Sequence, residues 1–455
     1  MPDLRVEEFE IHVIPGESQD DERSTVVVSW RDKERQGHVD LDGLRLRTVR
    51  VLVGMLRSNR LKRIEELRLL GEHLYAILFG VSVSEHGPSG LLMRAIKDGS
   101  VEDEGGRRLL RVSLEIGGRA ESLLSSLPWE YLYIPNDPND RDTGFFLGER
   151  ANFVLTRQLP LTGRQPAIDI RPPLRILLVV LSPKDMEVEY EAVLETLLQL
   201  DDSKGHSRID LRVLAEDRDD DGSPLAENER DPYVRSSYPA FRNTVEDFDP
   251  HVIHIIGHGR YHTDPDVGAA GELAFLHSDH TANWIADQEL ANGLRDVSSL
   301  RLVFLQACES AEAHSNPYQV ISGLAQWLAQ RIPAVIAMHF QVKSMMANEF
   351  ARSFYRSMVN RSAIEVAMHA ARRALYTGGL VGDTERSGFG LPVLYLRGSG
   401  ALLPPLEVPS TSLKGGAPES RIPDLSRAWG RDVGNRPEQF PSRSAVGGAG
   451  AEYNA

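Results

Sequence analysis

From Leu174 onward the chain alternates short apolar runs with segments of helical periodicity, and this alternation limits what the chain can fold into more than any other feature. Residues 175–181 (R-I-L-L-V-V-L), 209–214, 251–256, 302–306, 334–339 and 393–396 read as strands. Residues 186–200, 234–248, 287–294, 317–330, 344–358 and 364–376 carry apolar residues at helical spacing. An unbroken apolar run suits a strand buried on both faces. Strands alternating with helices predict an α/β fold, a mainly parallel sheet with helices on both faces. Right-handed crossovers gather the loops that follow the strands at one edge, where α/β proteins build their sites.

The first part of the chain reads differently. Residues 8–14 and 24–30 alternate as strands with a polar turn between them, which suits a hairpin. Helical spacing covers 41–56 and 64–79, and 108–116 alternates again as a strand with one wet face. An exposed turn is expected at 136–142 (N-D-P-N-D-R-D) and a short edge strand at 153–159. A chain of 455 residues is too long for one ordinary core. The expected organisation is a smaller α+β N-terminal region over 1–160, a linker at 161–173, the α/β domain over 174–397 and a disordered tail over 398–455. The first 60 or so residues are short for an independent domain and are expected to complete the sheet that follows. The tail is rich in Pro, Gly, Ser and Arg and has no periodicity.

Composition removes several classes of function. A net charge of −15 argues against a general nucleic-acid binder, which needs a cationic surface to displace counterions. No apolar run reaches membrane-spanning length, and M-P-D-L-R-V-E-E-F-E-I-H-V has no secretory pattern. The single cysteine, Cys308, excludes an internal disulfide and a multi-cysteine metal site, and it suits a reducing cytoplasm. A lone cysteine is ordinarily a small buried hydrophobe. The setting of Cys308 points elsewhere.

The strand at 251–256 runs into H-V-I-H-I-I-G-H-G, ending at Gly259, and the strand at 302–306 runs into L-Q-A-C-E-S-A. His258 and Cys308 therefore fall just past neighbouring strands, at the edge where sites are built. A thiol needs a histidine to handle protons and amide donors to hold an oxyanion. His258 and Cys308 are the candidate catalytic pair, and the backbone amides of Gly259 and Cys308 the candidate oxyanion hole. Gly259 carries no side chain to block a substrate carbonyl. Gln306 and Glu309 flank the cysteine and are candidate substrate-binding residues. His254 precedes His258 by four residues, but the pair lies at a strand end without the Glu of a helical zinc motif. No metal and no cofactor are expected, and His254 reads as a packing or supporting residue. His251, His262, His277 and His280 are expected at the surface. The acidic stretch 216–231 is expected as a solvated loop, with proteolytic processing as the alternative.

Gln306-Ala307-Cys308 resembles the start of the caspase signature Q-A-C-[RQG]-G, whose histidine lies about 50 residues upstream; Glu309 and Ser310 depart from it. The wider sequence is more similar to the CHAT peptidases. The resemblance is carried by L-L-G-E-H-L-Y-A-I-L-F-G at 69–80, L-P-W-E-Y-L-Y at 127–133 with F-F-L at 145–147, H-I-I-G-H-G, L-Q-A-C-E-S-A and I-P-A-V-I-A-M. It covers roughly residues 60–397. It implies a caspase–hemoglobinase-like fold, His258 and Cys308 as catalytic dyad, and cleavage of a protein substrate. It also implies a bacterial defence or signalling role, switched on by a partner protein. The chain carries no internal repeats, so the activator or adaptor is expected to be separately encoded. Within L-P-W-E, Trp129 is expected as a core anchor between the two halves and Glu130 as a hydrogen-bonded junction residue. The competing reading is an inactive caspase-like interaction module. A nucleotide-binding α/β protein is disfavoured, because no G-x-x-x-x-G-K-[ST] loop occurs.

Overall fold

The computed structural model describes residues 5–14, 24–40, 43–61, 63–80, 84–99, 108–117, 123–137, 140–150, 152–159, 173–200, 209–219, 221, 223, 235–264, 268–309, 322–340, 344–359, 363–377 and 383–397. Within them, the side chains of 99, 123, 136, 137, 140–142, 261–264, 268–270, 307–309, 322, 323, 359 and 383–386 are not described. The expected linker at 161–173 (all but residue 173), most of the acidic loop and the tail at 398–455 lie outside the described residues. Met1–Glu407 forms one compact unit; the second unit, Val408–Ala455, lies wholly outside them.

The chain opens with β1 (Arg5–Ile14), β2 (Thr25–Trp30) and β3 (Lys33–His38), followed by α1 (Gly43–Arg57), α2 (Ile64–Phe79) and α3 (Pro88–Gly99). β4 (Arg108–Ile116), the pair β5 (Tyr133–Asp137) and β6 (Asp140–Phe146), and β7 (Phe153–Gln158) complete the first part. The second part runs β8 (Leu174–Val180), α4 (Glu191–Leu200), β9 (Ile209–Leu214), α5 (Tyr238–Phe248), β10 (Val252–Asp264), β11 (Gly268–Leu276), β12 (Ala282–Ala286) and α6 (Asp287–Gly293). It closes with β13 (Leu302–Glu309), α7 (Ser322–Ala329), β14 (Ala334–Met338), α8 (Ser344–Val359), α9 (Ile364–Thr377) and β15 (Pro392–Leu396).

Among the described residues, thirteen strands form one sheet. Its path is β9-β8-β10-β13-β14-β15-β7-β4-β1-β2-β3, and the hairpin β11-β12 extends beside the far end of β10. Pairing is parallel from β9 through β14 and from β15 through β1, with an antiparallel step between β14 and β15. The α/β class read from the sequence is the class observed.

Side chains along the central strands alternate between two cores, as the pleat requires. Ile176, Leu178, Val252, Ile256, Leu302 and Phe304 join a core with α4, α8 and α9. Leu177, Val179, Ile253, Ile255, Val303 and Leu305 join another with α5, α6 and α7. α5 starts cleanly because the Ser237 hydroxyl accepts from Ala240 N at 3.4 Å and Pro239 follows it.

Several elements depart from the sequence expectation. β7 is not an edge strand but lies between β4 and β15. Of the expected turn at 136–142, residues 136–137 and 140–142 belong to the paired strands β5 and β6, and 138–139 lie outside the described residues. β3 lacks apolar alternation because it is an end strand with mostly exposed residues; a turn with Arg31 at φ 55° brings it back along β2. His251 is buried rather than at the surface, with Nδ1 accepting from Arg175 N at 3.0 Å. His277 and His280 are exposed as expected, and the His262 side chain lies outside the described residues.

Candidate active site

β10 and β13 are parallel neighbours whose register runs from Val252↔Leu302 to Gly259↔Glu309 and includes His258↔Cys308. Both strands are longer than the apolar runs suggested, so His258 and Cys308 sit on a rung of the ladder rather than in loops beyond it. Neighbouring strand backbones lie about 4.8 Å apart, and register partners share one face of the sheet. The Cys308 and Glu309 side chains lie outside the described residues. Glu309 ends β13, and Gly259 also pairs with Leu273 of β11. The fold thus brings together the backbones of His258, Gly259, Cys308 and Glu309, with Gln306 two positions below Cys308 on its own strand.

Gly257, just before His258, is demanded by packing: a Cβ there would meet Leu181 Cβ at 2.8 Å and its carbonyl oxygen at 3.2 Å. Leu181 is drawn this close because its N–H donates to Ile256 O at 2.8 Å. The histidine is therefore seated by a backbone contact that only glycine permits.

Beneath the pair, on the same face, the ladder carries His254 beside Phe304 and Ile256 beside Gln306. His254 is fully buried and stacks on Phe304 with centroids 4.1 Å apart and planes 3° from parallel. Its Nδ1 lies 3.0 Å from the Tyr355 hydroxyl of α8. Burial pushes the His254 pKa down to about 3, with Gln306 beside it pulling slightly the other way. Burial also raises the Tyr355 hydroxyl far above its ordinary value. Nε2 of His254, Nε2 of His258 and Oε1 of Gln306 are all buried, and none makes a well-formed hydrogen bond among the described residues. Tyr355 escaped the sequence reading; its signal was the aromatic cluster of Phe350, Phe354 and Tyr355, whose rings surround Phe304.

The L-P-W-E segment anchors the junction of the two parts. Trp129 is buried and donates from Nε1 to Leu124 O at 2.8 Å. Arg157 of β7, missed in the sequence, grips Glu130 with both ends of its fork, Nε at 2.9 Å and Nη2 at 2.7 Å. It also donates to the carbonyls of Ser125 and Leu127. Burial acts to raise the Glu130 carboxyl, but Arg157 outweighs it and the pKa lies below the usual value. Arg372 of α9 is buried beside them, bonded to the Pro392 and Leu155 carbonyls and pushed down to about 10 by burial. The β15–β7 register pair found among the described residues, Tyr395↔Arg157, falls at this cluster.

The described beginning of the acidic loop is tied down: Tyr190 donates to Asp217 at 2.6 Å and Ser236 N to Glu216 at 2.8 Å. Among the described residues, no group of three or more His, Cys, Asp or Glu side chains is placed to hold a metal ion. No helix among them is long and apolar enough to cross a membrane.

A mostly parallel sheet, helices on both faces and a His–Cys rung near the end of the β10–β13 ladder define an α/β protein with its candidate site between two central strands. The chain belongs to the CHAT domain family, whose model matches residues 71–383. No curated protein matches its sequence. Among solved structures it is similar to the Saccharomyces cerevisiae separase–securin complex, with TM-score 0.43 and 9% identity, covering 85% of this chain and 30% of that one. It is also similar to the complex of Porphyromonas gingivalis RgpB pro- and mature domains, with TM-score 0.36, 10% identity and 71% of each chain covered. A secreted C11 cysteine protease from Bacteroides thetaiotaomicron, in complex with an irreversible peptide inhibitor, matches with TM-score 0.28 and 11% identity, over 46% of this chain and 62% of that one. This chain therefore spans under a third of the separase chain.

Proposed function

We propose that this chain is a cysteine endopeptidase that cleaves a protein substrate through His258 and Cys308. The observation that carries the reading is the register pair His258↔Cys308 near the end of the β10–β13 ladder, in a chain of the CHAT family. The Cys308 thiolate attacks the scissile carbonyl, and His258 manages the thiol proton and then protonates the leaving amine. The amides of Gly259 and Cys308 hold the oxyanion where the ladder ends. Gln306 and Glu309 are candidate contacts for the residue before the scissile bond. Activity is gated by a separately encoded activator or adaptor in a cytoplasmic bacterial defence or signalling system. This reading needs no metal or cofactor.

The test is covalent labelling of the full chain with a peptide electrophile, with and without cell lysate as a source of activator. Wild type is expected to label, Cys308→Ala not at all, and His258→Ala about 100-fold more slowly or worse. Dependence on lysate marks gating. A folded wild type that stays unlabelled under both conditions overturns the peptidase and leaves an inactive interaction module.

A further inference from the structure

Past its ladder with β13, β10 runs on as one strand of a hairpin that flanks the candidate pair. Arg260 follows His258 by two residues and so shares its face of the sheet, about 7 Å further along the strand. The register partner of Arg260 is Glu272 of β11, whose own partner is Ala286 of β12. Trp284 lies two residues before Ala286, again on this face. Arg260 Nε donates to Glu272 Oε2 at 2.6 Å, and the guanidinium carbon sits 4.1 Å from the centre of the Trp284 ring. The arginine is thus pinned at its inner nitrogen and held over an indole. Its two outer nitrogens have no partner among the described residues. We propose that Arg260, so held, is a specificity residue that binds an acidic side chain of the substrate within the first three residues on the leaving-amine side of the scissile bond. The proposal rests on the reading of His258 and Cys308 as the reacting pair and names what that pair's neighbour selects.

The order of the strands sets the side. Across this face Cys308 of β13 comes first, then His258 of β10, then β11 and β12. The thiolate attacks the scissile carbon, and His258 protonates the nitrogen bonded to it. The substrate chain therefore passes from β13 toward β11 as it leaves the reacting bond, and Arg260 stands on that outgoing side. The guanidinium reaches over β11, a strand spacing of about 4.8 Å, toward β12. An extended peptide advances about 3.3 Å per residue, which sets the guanidinium opposite the first to third residues past the bond.

The chemistry of the cluster selects the ligand. A guanidinium presents paired N–H donors in a fixed plane, which match the two oxygens of a carboxylate. Glu272 and Trp284 fix its conformation beforehand, so little freedom is lost on binding. The Arg260 side chain is 37% exposed and that of Glu272 16%, so the cation is the group offered to solvent. The hairpin does not need this cluster to hold it together. Backbone pairing joins β10 to β11 from Gly259↔Leu273 to Asp264↔Gly268. The opposite face packs Leu273, Phe275 and Ile285 against α6 and α7. Gly271 N donates to the buried Asp287 Oδ2 at 3.1 Å. Arg260 is therefore carried on a rigid support.

The test is calorimetry of tripeptides with the full chain: Glu-Ala-Ala, Ala-Glu-Ala and Ala-Ala-Glu, each beside its Gln counterpart. All have a free amine and an amidated C-terminus, so that the side chain supplies the only carboxylate. At least one Glu peptide is expected to bind wild type about 5- to 10-fold more tightly than its Gln counterpart, the worth of a charge-assisted hydrogen bond. The preference is expected to vanish in Arg260→Met and to weaken in Arg260→Lys, which keeps the charge without the planar donors. Melting temperatures check that both variants fold. The preferred peptide is also expected to slow alkylation by iodoacetamide of Cys308, the single cysteine, which places it beside the pair. Equal binding within every Glu–Gln pair, no binding of any peptide, or a Glu preference that survives in folded Arg260→Met overturns the proposal. So does a preferred peptide that leaves the alkylation rate unmoved. If His258→Ala alkylates as wild type does, the reacting pair itself fails, while calorimetry still reports on Arg260.

Discussion

Gly257 ties the position of the candidate histidine to one missing side chain. A methyl group there cannot fit against Leu181 Cβ at 2.8 Å without moving the end of β8 or of β10. Gly257→Ala is expected to cost about 1–3 kcal/mol, as overpacking of a rigid core does, and to slow Cys308 labelling more than the stability loss explains. Denaturant melts beside labelling rates check it; a variant with wild-type values in both shows that the strands have slack. At this scale the sequence showed which candidate residues meet on the ladder and little of what supports them. His258, Cys308, Gly259 and Gln306 were legible because they sit in short motifs at the ends of apolar runs. Tyr355 was not, because an aromatic residue on a helical stripe looks the same whether it packs or also donates a hydrogen bond. His251 was expected at the surface; in the fold its ring accepts from the backbone at the start of β8.

The strands and helices of the second part follow from periodicity, since each has an apolar run or stripe of its own. The weak spots are elements that borrow stability from a partner. β3 has no apolar face and is read only once β2 is beside it. β7, expected at an edge, contains Thr156 and Arg157. Both are buried, and Arg157 is tolerable in the interior only because Glu130 receives its fork. That dependence is measurable. Glu130→Ala leaves Arg157 buried beside Arg372 with only carbonyl oxygens and the Tyr395 hydroxyl, and no carboxylate, to balance them. It is expected to cost about 3–5 kcal/mol, the penalty of an uncompensated buried charge. Glu130→Leu combined with Arg157→Met removes both charges and is expected to recover most of that loss. Equilibrium unfolding of the single and double variants decides it. A double variant no better than Glu130→Ala would mean that the carbonyl contacts of Arg157, not the charge pair, secure the junction.

Over the whole molecule, the deepest imprint of burial is a set of histidines that stay neutral. Burial lowers His251, His339 and His369 to about 4 and His254 to about 3. They lie at the start of β8, under the candidate pair, at the junction beside Glu130 and on α9, so they sample most of the core. In the unfolded chain each would titrate near the ordinary value of about 6.5. As pH falls from 6.5 toward 4, the unfolded chain takes up protons that the folded protein refuses, and stability must fall. Glu365, raised by burial next to Arg111, works the other way, since the folded state binds its proton first. Glu130, lowered by Arg157, adds to the loss only below the ordinary carboxylate range. The net expectation is a stability that declines steadily between pH 6.5 and 4, each unshared proton contributing about 1.4 kcal/mol per pH unit. His369 offers a clean check, because neither ring nitrogen makes a well-formed hydrogen bond among the described residues. His369→Leu is expected to match wild type near pH 7 and to flatten the decline by about one proton. Denaturant midpoints at half-unit steps of pH measure the slope. An unchanged slope in His369→Leu would mean that His369 charges in the folded state. Its burial would then be relieved by opening of α9, whose other buried groups, Glu365 and Arg372, secure the sheet at the junction.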